Sequence, residues 1–199
     1  MIEPTILSRP TYGTLEPRPG RAHLLIADDA GSAAIVDLFA RAPADFHESA
    51  TILSVTKDLS GDEAAALHRL SPATLTACPD MPAMLNTLAG LLAEAGMGVQ
   101  IYLAGTEPLI GQAMRVVIEA GIDHSAIATE HRGSLARRVQ CVHCKGFMDE
   151  VTTQPVTCAH CGLSLFVRDH YSRRLAAFQG VCINAEDQSE IVPAEEVFR

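Results

Sequence analysis

Two Cys-x-x-Cys pairs, Cys141 with Cys144 and Cys158 with Cys161, stand close together in the second half of the chain. Four thiolates at this spacing are typical of a tetrahedral zinc site. Because four protein ligands leave no open coordination position for a substrate, the pattern favours a structural zinc ion over a catalytic one. Four unrelated reduced cysteines, or an iron site like that of rubredoxin, are the alternatives. Iron is less favoured because few aromatic residues surround the pairs.

The residues around the two pairs complete the pattern of a zinc ribbon, in which two turns hold one ion. Gly146 and Gly162 follow the pairs, where such turns often need a permissive backbone. His143 and His160 lie inside the pairs, and we expect them outside the coordination sphere because the cysteines already fill the tetrahedron. The segment is too short to bury a large core, so metal binding would supply its folding free energy. Strand-like runs flank the cysteines at residues 138–140, 151–153 and 164–167.

Composition and charge exclude several classes of protein. The 199 residues are 48% hydrophobic, enough for a real core, and the net charge of -9 disfavours nucleic-acid binding by the chain as a whole. We see neither a signal peptide after Met1 nor an apolar run of the roughly 20 residues that a membrane span needs, so we expect a cytoplasmic protein that binds no membrane. Paired cysteines in such a chain indicate metal ligands, not disulfides. The isolated Cys78 and Cys182 are expected to be small buried hydrophobic residues.

The chain before the cysteines alternates between strand-like and helix-like runs. The strand-like runs are short, apolar and often β-branched, and the helix-like runs place apolar side chains at helical spacing. The predicted strands are residues 23–27, 50–56, 73–77, 99–104 and a short run from Ile127. The predicted helices include residues 35–39, 62–70, 84–92 and 108–118. This alternation predicts βαβ units, and hence an α/β fold with a parallel sheet.

The same features divide the chain into four predicted segments. Residues 1–20 contain four prolines and are expected to form an extended arm. An α/β domain over residues 21–135, a zinc ribbon over 136–182 and an acidic tail over 183–199 follow. Residues 132–180 carry seven basic and three acidic side chains, so the ribbon is the one basic region. The tail is expected to be mostly loop, although Ile191–Val192 and Val197–Phe198 have the apolar side chains needed to dock.

Ligands of open parallel sheets bind beyond the carboxyl ends of the strands. Those ends are predicted at Asp28–Asp29, Thr56–Lys57, Cys78–Pro79 and residues 105–107.

The run Val99–Ile110, with its following helix, Gly121 and the later Glu130, resembles the last βα unit of ferredoxin–NADP reductase-type nucleotide domains. The resemblance implies a Rossmann-type domain in which a helix start faces a nicotinamide nucleotide, with Gly105, Thr106 and Glu107 as candidate cofactor-binding residues. The turn from Asp28 to Ser32 departs from that family, because two carboxylates stand where it has glycines. They would repel a pyrophosphate, which favours a nucleotide-type scaffold kept for docking.

The sequence of the ribbon indicates a resemblance to a more specific family. The run Arg137–Lys145, and the continuation of the second pair through Asp169-His170-Tyr171-Ser172-Arg173-Arg174 to Val181, are similar to the DmmA-like family of dimethylamine monooxygenase small subunits. The resemblance covers roughly residues 20–182. It implies a hetero-oligomeric, NAD(P)H-dependent enzyme that demethylates dimethylamine to methylamine and formaldehyde. Flavin, iron–sulfur, haem and NAD(P)H are expected on partner subunits, and this chain is expected to be a zinc-bearing, non-catalytic component.

The polar run from Asp169 to Arg174 admits three interpretations. A histidine that transfers protons and arginines that bind an anion would make it a site, and a solvated strand end would make it structural. We favour a surface that docks a partner, because Arg and Tyr are common interface anchors.

Two alternative functions also remain open at the level of sequence. The chain is a candidate for an NAD(P)H-binding reductase component of an oxygenase. The ribbon's basic charge also permits a zinc-ribbon nucleic-acid adaptor, which the acidic remainder of the chain disfavours.

Overall fold

The computed structural model describes residues 9–56, 61–187 and 192–199. The chain divides into two compact units. The sheet unit is Tyr12–Gly133, and the ribbon unit is Ser134–Arg199 together with the described residues before Tyr12. Residues 1–8 of the predicted arm and Lys57 of one predicted strand end lie outside the described part of the chain.

The sheet unit is built on a parallel sheet of five strands, as the sequence predicts. The strands are β1 (Ala22–Asp28), β2 (Ala50–Val55), β3 (Thr74–Cys78), β4 (Val99–Gly105) and β5 (Ile127–His131). Their order is β3-β2-β1-β4-β5, and every neighbouring pair is parallel. The chain therefore reverses its direction of winding between β1 and β4. In such sheets that point is where a ligand crevice opens.

Helices connect the strands on both faces of the sheet. They are α1 (Ser32–Arg41), α2 (Ala44–Glu48), α3 (Asp62–Arg69), α4 (Met81–Glu94) and α5 (Glu107–Glu119), with a 3₁₀ turn at His124–Ala126. Local chemistry sets several ends: the Asp80 side chain accepts from Ala83 N–H at the start of α4, and Gly121 has a positive φ just after α5. The sequence predicts four of the helices but not α2, which is too short to show a period. None of these described helices is long and apolar enough to cross a membrane.

Alternate residues of the central strands face two separate apolar clusters. Leu24 and Ile26 point into one cluster with side chains of α4 and α5, whereas Leu25 and Ala27 point into the other with side chains of α1 and α3. Burial on both faces explains why the strands read as continuous apolar runs. The segment before β1 joins the second cluster through Leu15, which is fully buried.

The ribbon unit is almost entirely β-structure. Its strands are β6 (Arg137–Cys141), β7 (Phe147–Val151), β8 (Thr153–Gln154), β9 (Val156–Thr157), β10 (Ser164–Ser172), β11 (Ala177–Cys182) and β12 (Glu195–Glu196). Five of them form a sheet in the order β7-β6-β11-β10-β9, and β8 pairs with β12. The pairing of β6 with β11 is parallel, and the other pairings within this sheet are antiparallel.

Two features of the ribbon unit differ from the sequence prediction, and a third, the docking of the tail, agrees with it in part. The run predicted at 151–153 is not one strand but includes the end of β7 and the start of β8. The strand β11 is not foreseen because Gly180 suggests a loop; a Cβ at this glycine would lie 2.9 Å from Val139 Cγ1, so the residue marks close packing between strands. The acidic tail also docks in part. Phe198 is buried in the ribbon core and Val192 stays exposed, whereas Ile191 lies outside the described residues.

Candidate metal centre

The structure brings the four cysteines of the two pairs together. Their sulfur atoms all lie within 4.8 Å of one another. Cys141 Sγ is 3.8 Å from Cys161 Sγ, and Cys144 Sγ is 3.7 Å from Cys158 Sγ. A disulfide needs about 2.05 Å, so these are separate thiols.

The spacing of the sulfurs fits a zinc ion. Four sulfurs held at about 2.3 Å from one central ion stand about 3.8 Å apart in a regular tetrahedron. The closest distances between Cys141 and Cys161 and between Cys144 and Cys158 match that value. The chemistry of the donor set also fits, because soft thiolates select zinc or iron over magnesium or calcium.

The two turns that carry the cysteines have the same hydrogen bonds. We call residues 141–146 the first knuckle and residues 158–163 the second. In the first, Cys141 N–H donates to Gly146 O and Lys145 N–H donates to Cys141 O. In the second, Cys158 N–H donates to Leu163 O and Gly162 N–H donates to Cys158 O. Position by position, Lys145 therefore corresponds to Gly162, and Gly146 corresponds to Leu163.

This correspondence corrects one expectation about the glycines. Gly162 has a positive φ of 76°, as a permissive turn position predicts. In the first knuckle the left-handed residue is Lys145, with a φ of 64°, and not Gly146. Gly146 has a different role, because a Cβ there would lie only 2.3 Å from the ring of His160.

Backbone N–H groups of the second knuckle are aimed at a cysteine sulfur. Burial raises the pKa of Cys158, but hydrogen bonds from the backbone of His160 and Cys161, and from neighbouring thiols, bring it down to about 7. N–H groups that favour a thiolate also favour a bound metal ion, because only the thiolate is a ligand.

The two histidines of the knuckles have different surroundings. The His160 ring lies against Gly146, and its Nε2 is 2.7 Å from Phe147 O. The His143 ring is exposed, and the structure records no hydrogen bond for it among the described residues. The sequence treats these two positions alike, and only the fold separates them.

The crevice between β1 and β4 is occupied by the Asp28 side chain. Its Oδ1 accepts from Gly31 N–H at 2.9 Å, and its Oδ2 accepts from the Thr106 N–H at 2.9 Å and the Thr106 hydroxyl at 2.7 Å. Gly31 and Thr106 are the residues that precede α1 and α5. One protein carboxylate therefore occupies the anion position at two helix starts.

The three candidate cofactor-binding residues lie in this closed region. Gly105 has a φ of 131°, and a Cβ there would lie 2.1 Å from Asp28 Oδ1. Thr106 is half-buried and bonded to Asp28, as described. Glu107 is buried. The burial of Tyr12 raises the pKa of its hydroxyl well above the usual range, and the charge of Glu107 raises it further. Protein groups therefore lie against the positions where the resemblance implies a nucleotide.

The polar run from Asp169 to Arg174 lies at the end of the β10–β11 hairpin. Asp169 accepts hydrogen bonds from Arg9 and from Arg137, and these contacts outweigh burial and lower its pKa. Arg137 in turn lies between the rings of Phe178 and Phe198, with its guanidinium carbon 4.1 Å and 3.9 Å from the ring centres. Asp169 therefore belongs to the structural framework. His170, Arg173 and Arg174 are exposed.

Comparison with protein families gives matches over both units. Two family models match: the dimethylamine monooxygenase subunit DmmA-like N-terminal domain over residues 4–127, and the corresponding C-terminal domain over residues 138–181. A curated relative from Ectopseudomonas mendocina (strain ymp), the heme-dependent oxidative N-demethylase delta subunit, is 31% identical over 140 residues. These residues are 67% of this chain and 80% of the relative.

Several solved structures share the fold of part of the chain. They are the ferredoxin reductase in carbazole 1,9a-dioxygenase (FAD apo form), the siderophore-interacting protein SipS from Aeromonas hydrophila, and flavohemoglobin from Malassezia yamatoensis with bound FAD and heme. Their identities are 20%, 16% and 19%, each with a TM-score of 0.41. They cover 57%, 58% and 60% of this chain, which spans only 34%, 51% and 34% of theirs. The likeness concerns the fold alone.

Proposed function

The chain belongs to the dimethylamine monooxygenase subunit DmmA-like family, and from this premise we propose that it is a zinc-binding, non-catalytic subunit of a multi-subunit oxidative N-demethylase. The family resemblance found in the sequence is confirmed. One observation carries the proposal: both domain models of the family match, and a relative with 31% identity is the delta subunit of a heme-dependent oxidative N-demethylase.

We infer that the complex acts on dimethylamine and uses NAD(P)H and molecular oxygen. Dimethylamine gives methylamine and formaldehyde, one oxygen atom enters the formaldehyde, and the other leaves as water with two electrons from NAD(P)H. Flavin, iron–sulfur, haem and NAD(P)H sites are proposed on partner subunits.

The zinc part of the proposal rests on the cysteine quartet. Cys141, Cys144, Cys158 and Cys161 have the donor chemistry and the sulfur spacing that tetrahedral zinc requires. Zinc held by four thiolates has no position for a substrate, which supports a structural role.

The Asp28 crevice supports an accessory role over the reductase alternative. A bound pyrophosphate would need the N–H groups that now donate to Asp28, and it would meet that carboxylate at close range. Like charges at such a distance repel strongly where water is scarce. The proposed role of the sheet unit is therefore docking within the complex.

The β10–β11 hairpin is the proposed docking surface for an acidic face of a partner subunit. Arg168, Arg173 and Arg174 are exposed there, and the one acidic residue of the hairpin, Asp169, already pairs with Arg9 and Arg137. The positive charge of the hairpin is therefore not compensated from within. Phe166, exposed on the same strand, adds an apolar contact.

Purification of the chain with and without its partner subunits tests the proposal. We expect one zinc ion per chain, a colourless isolated chain, a coloured complex, and formaldehyde release from dimethylamine that requires this chain. Isolated protein without zinc would remove the zinc role. Saturable NADH binding to the isolated chain would favour the reductase alternative, and salt-sensitive binding to DNA or RNA would favour the adaptor.

A charge-reversal variant tests the docking surface. Arg168→Glu with Arg173→Glu should weaken the complex at least tenfold and reduce the sensitivity of its affinity to salt. Arg21→Glu with Arg69→Glu changes the net charge equally at exposed positions of the sheet unit and serves as the control. Equal loss of affinity in both variants would mean that only net charge matters.

A further inference from the structure

The two knuckles are joined by a contact that does not involve the cysteine sulfurs. The His160 ring of the second knuckle lies against Gly146 of the first, and its Nε2 lies 2.7 Å from Phe147 O. Because a carbonyl oxygen only accepts, Nε2 carries the proton and donates it. The ring thus bonds one knuckle to the backbone of the other.

Each of the two residues in this contact is hydrogen-bonded through its backbone to one of the candidate metal ligands. On one side, the His160 backbone N–H is directed at Cys158 Sγ. On the other, Gly146 O accepts from Cys141 N–H. A displacement of the ring would therefore disturb the backbone that orients a cysteine in each knuckle.

The contact is one-sided although the knuckles are alike. His143 occupies in the first knuckle the place that His160 has in the second. The residue of the second knuckle that corresponds to Gly146 is Leu163, which has a side chain that packs against the ribbon core. Both histidines are exposed, but of the two it is His160 that is hydrogen-bonded to the other knuckle.

We propose that His160, seated on Gly146, is a positioning residue that holds the two knuckles in register and slows release of the metal ion. The proposal rests on the proposed zinc site. Groups that orient metal ligands from outside the coordination sphere typically change metal affinity by about 10–100-fold. Because His160 is exposed, we expect the lower end of that range.

Zinc transfer to a chromogenic chelator measures the effect on the full chain. His160→Ala should release zinc about tenfold faster than the wild type, as a lost orienting group predicts. His160→Gln, which keeps a long side chain with an N–H donor, should recover part of the difference. His143→Ala is the matched control and should change the rate less than twofold.

A double-mutant cycle separates this contact from a general loss of structure. Gly146→Ala in the wild type places a methyl group 2.3 Å from the His160 ring and should speed release about as much as His160→Ala. In the His160→Ala background the methyl group meets no ring, so the second substitution should add little. Effects that multiply in the double variant, or equal rates for His143→Ala and His160→Ala, would overturn the proposal.

The zinc premise and the histidine contact fail in distinguishable ways. Wild-type protein without zinc would refute the zinc premise. The double-mutant cycle of Gly146→Ala and His160→Ala is then measured by hydrogen exchange of the β7 amides. Additive effects of the two substitutions on that exchange would refute the contact. Zinc-bearing wild type with an unchanged release rate in His160→Ala refutes the contact alone.

Discussion

The sheet unit contains two clusters of buried apolar side chains, whereas the ribbon unit contains one smaller cluster and the four cysteines. In the first, strands with continuous apolar runs are covered by helices on both faces, so burial of apolar area is the main stabilising term. In the second, short strands bury less, and a metal ion is the expected source of the missing free energy. If the proposed metal is bound, the difference teaches that one chain can fold its parts by separate physical means, each of which can be removed separately.

Loss of one cysteine ligand should have the largest effect, and it should be confined to the ribbon unit. Cys158→Ser removes one thiolate from a site whose metal binding is worth roughly 10–16 kcal/mol in small zinc modules. Amides of β6, β10 and β11 should lose protection in hydrogen-exchange mass spectrometry, and amides of β1 and β4 should keep it. Cys182→Ser, outside the quartet, is the control. Retained protection in the ribbon after substitution would show that the metal is not its main support.

A cavity in the sheet unit should give the next largest effect. Leu25→Ala removes a fully buried side chain between β1 and α1, and should lower the free energy of unfolding by about 2–5 kcal/mol. Urea unfolding followed by circular dichroism measures the loss, and the rate of zinc transfer should not change. Met97→Ala, at an exposed position, should shift the free energy by less than about 0.5 kcal/mol. A faster release of zinc from the Leu25 variant would mean that the units are not energetically separate.

Neutralising Asp28 should have a smaller effect on the sheet unit. Both carboxylate oxygens accept hydrogen bonds, so the amide of Asp28→Asn places an N–H group against a donor. The expected loss is about 1.5–3 kcal/mol, the range for hydrogen bonds to charged groups. The adjacent Asp29 is exposed, and Asp29→Asn is the matched control in the same urea experiment. Similar losses in the two variants would show that the bridge between the helix starts contributes little.

The smallest predicted effect is a loss of stability of the sheet unit at low pH. Burial lowers the pKa of His23, against a smaller opposite effect of Asp45, whereas an unfolded chain has a histidine pKa of about 6.5. Below about pH 6.5 the unfolded chain binds more protons than the folded chain. The free energy of unfolding should therefore fall as the pH is lowered, until the pH is below the pKa of His23 in the folded chain. The slope cannot exceed about 1.4 kcal/mol per pH unit.

Two variants isolate this histidine. His23→Leu should flatten the pH dependence of β1 protection in hydrogen exchange, and His68→Leu, at an exposed position, should not. The ribbon should also weaken in acid, but for another reason, because protonated thiols release zinc. An unchanged slope in His23→Leu would assign the acid sensitivity of the sheet unit to other groups.

Much of the sheet unit could be predicted from the sequence, because strands buried on both faces are continuous apolar runs. The four strands before Ile127 and their main helices follow from that rule. The short α2 shows no period, and β11 contains Gly180, which suggests a loop until the close approach of Val139 is known. The apolar side chain of Phe198 indicated that the tail could dock, but the sequence does not show that it docks in the ribbon core.

One part of the candidate site could be predicted from the spacing of residues in the sequence, and the other part is visible only in the structure. The spacing of Cys141, Cys144, Cys158 and Cys161 indicates one cluster, and the structure brings the sulfurs together. The seating of His160 on Gly146 joins two turns that the sequence shows only as separate motifs. The Asp28–Thr106 bridge likewise joins two turns that are far apart in the chain. When the two pairs are aligned, Lys145 and not Gly146 corresponds to Gly162, and this offset was the available sequence signal that Gly146 has another role.

The parallel pairing of β6 with β11 has a consequence for the order of events during synthesis. Val139 pairs with Phe178, and all four cysteines lie before β11 in the chain. Chains emerge from the ribosome amino end first, and contacts between distant segments wait for the later one. The proposed metal ion can therefore bind while β6 is still without β11. If the proposed zinc ion is scarce during translation, β11 would meet a ribbon that has not formed, and the edge of β6 would stay open, a known starting point for aggregation.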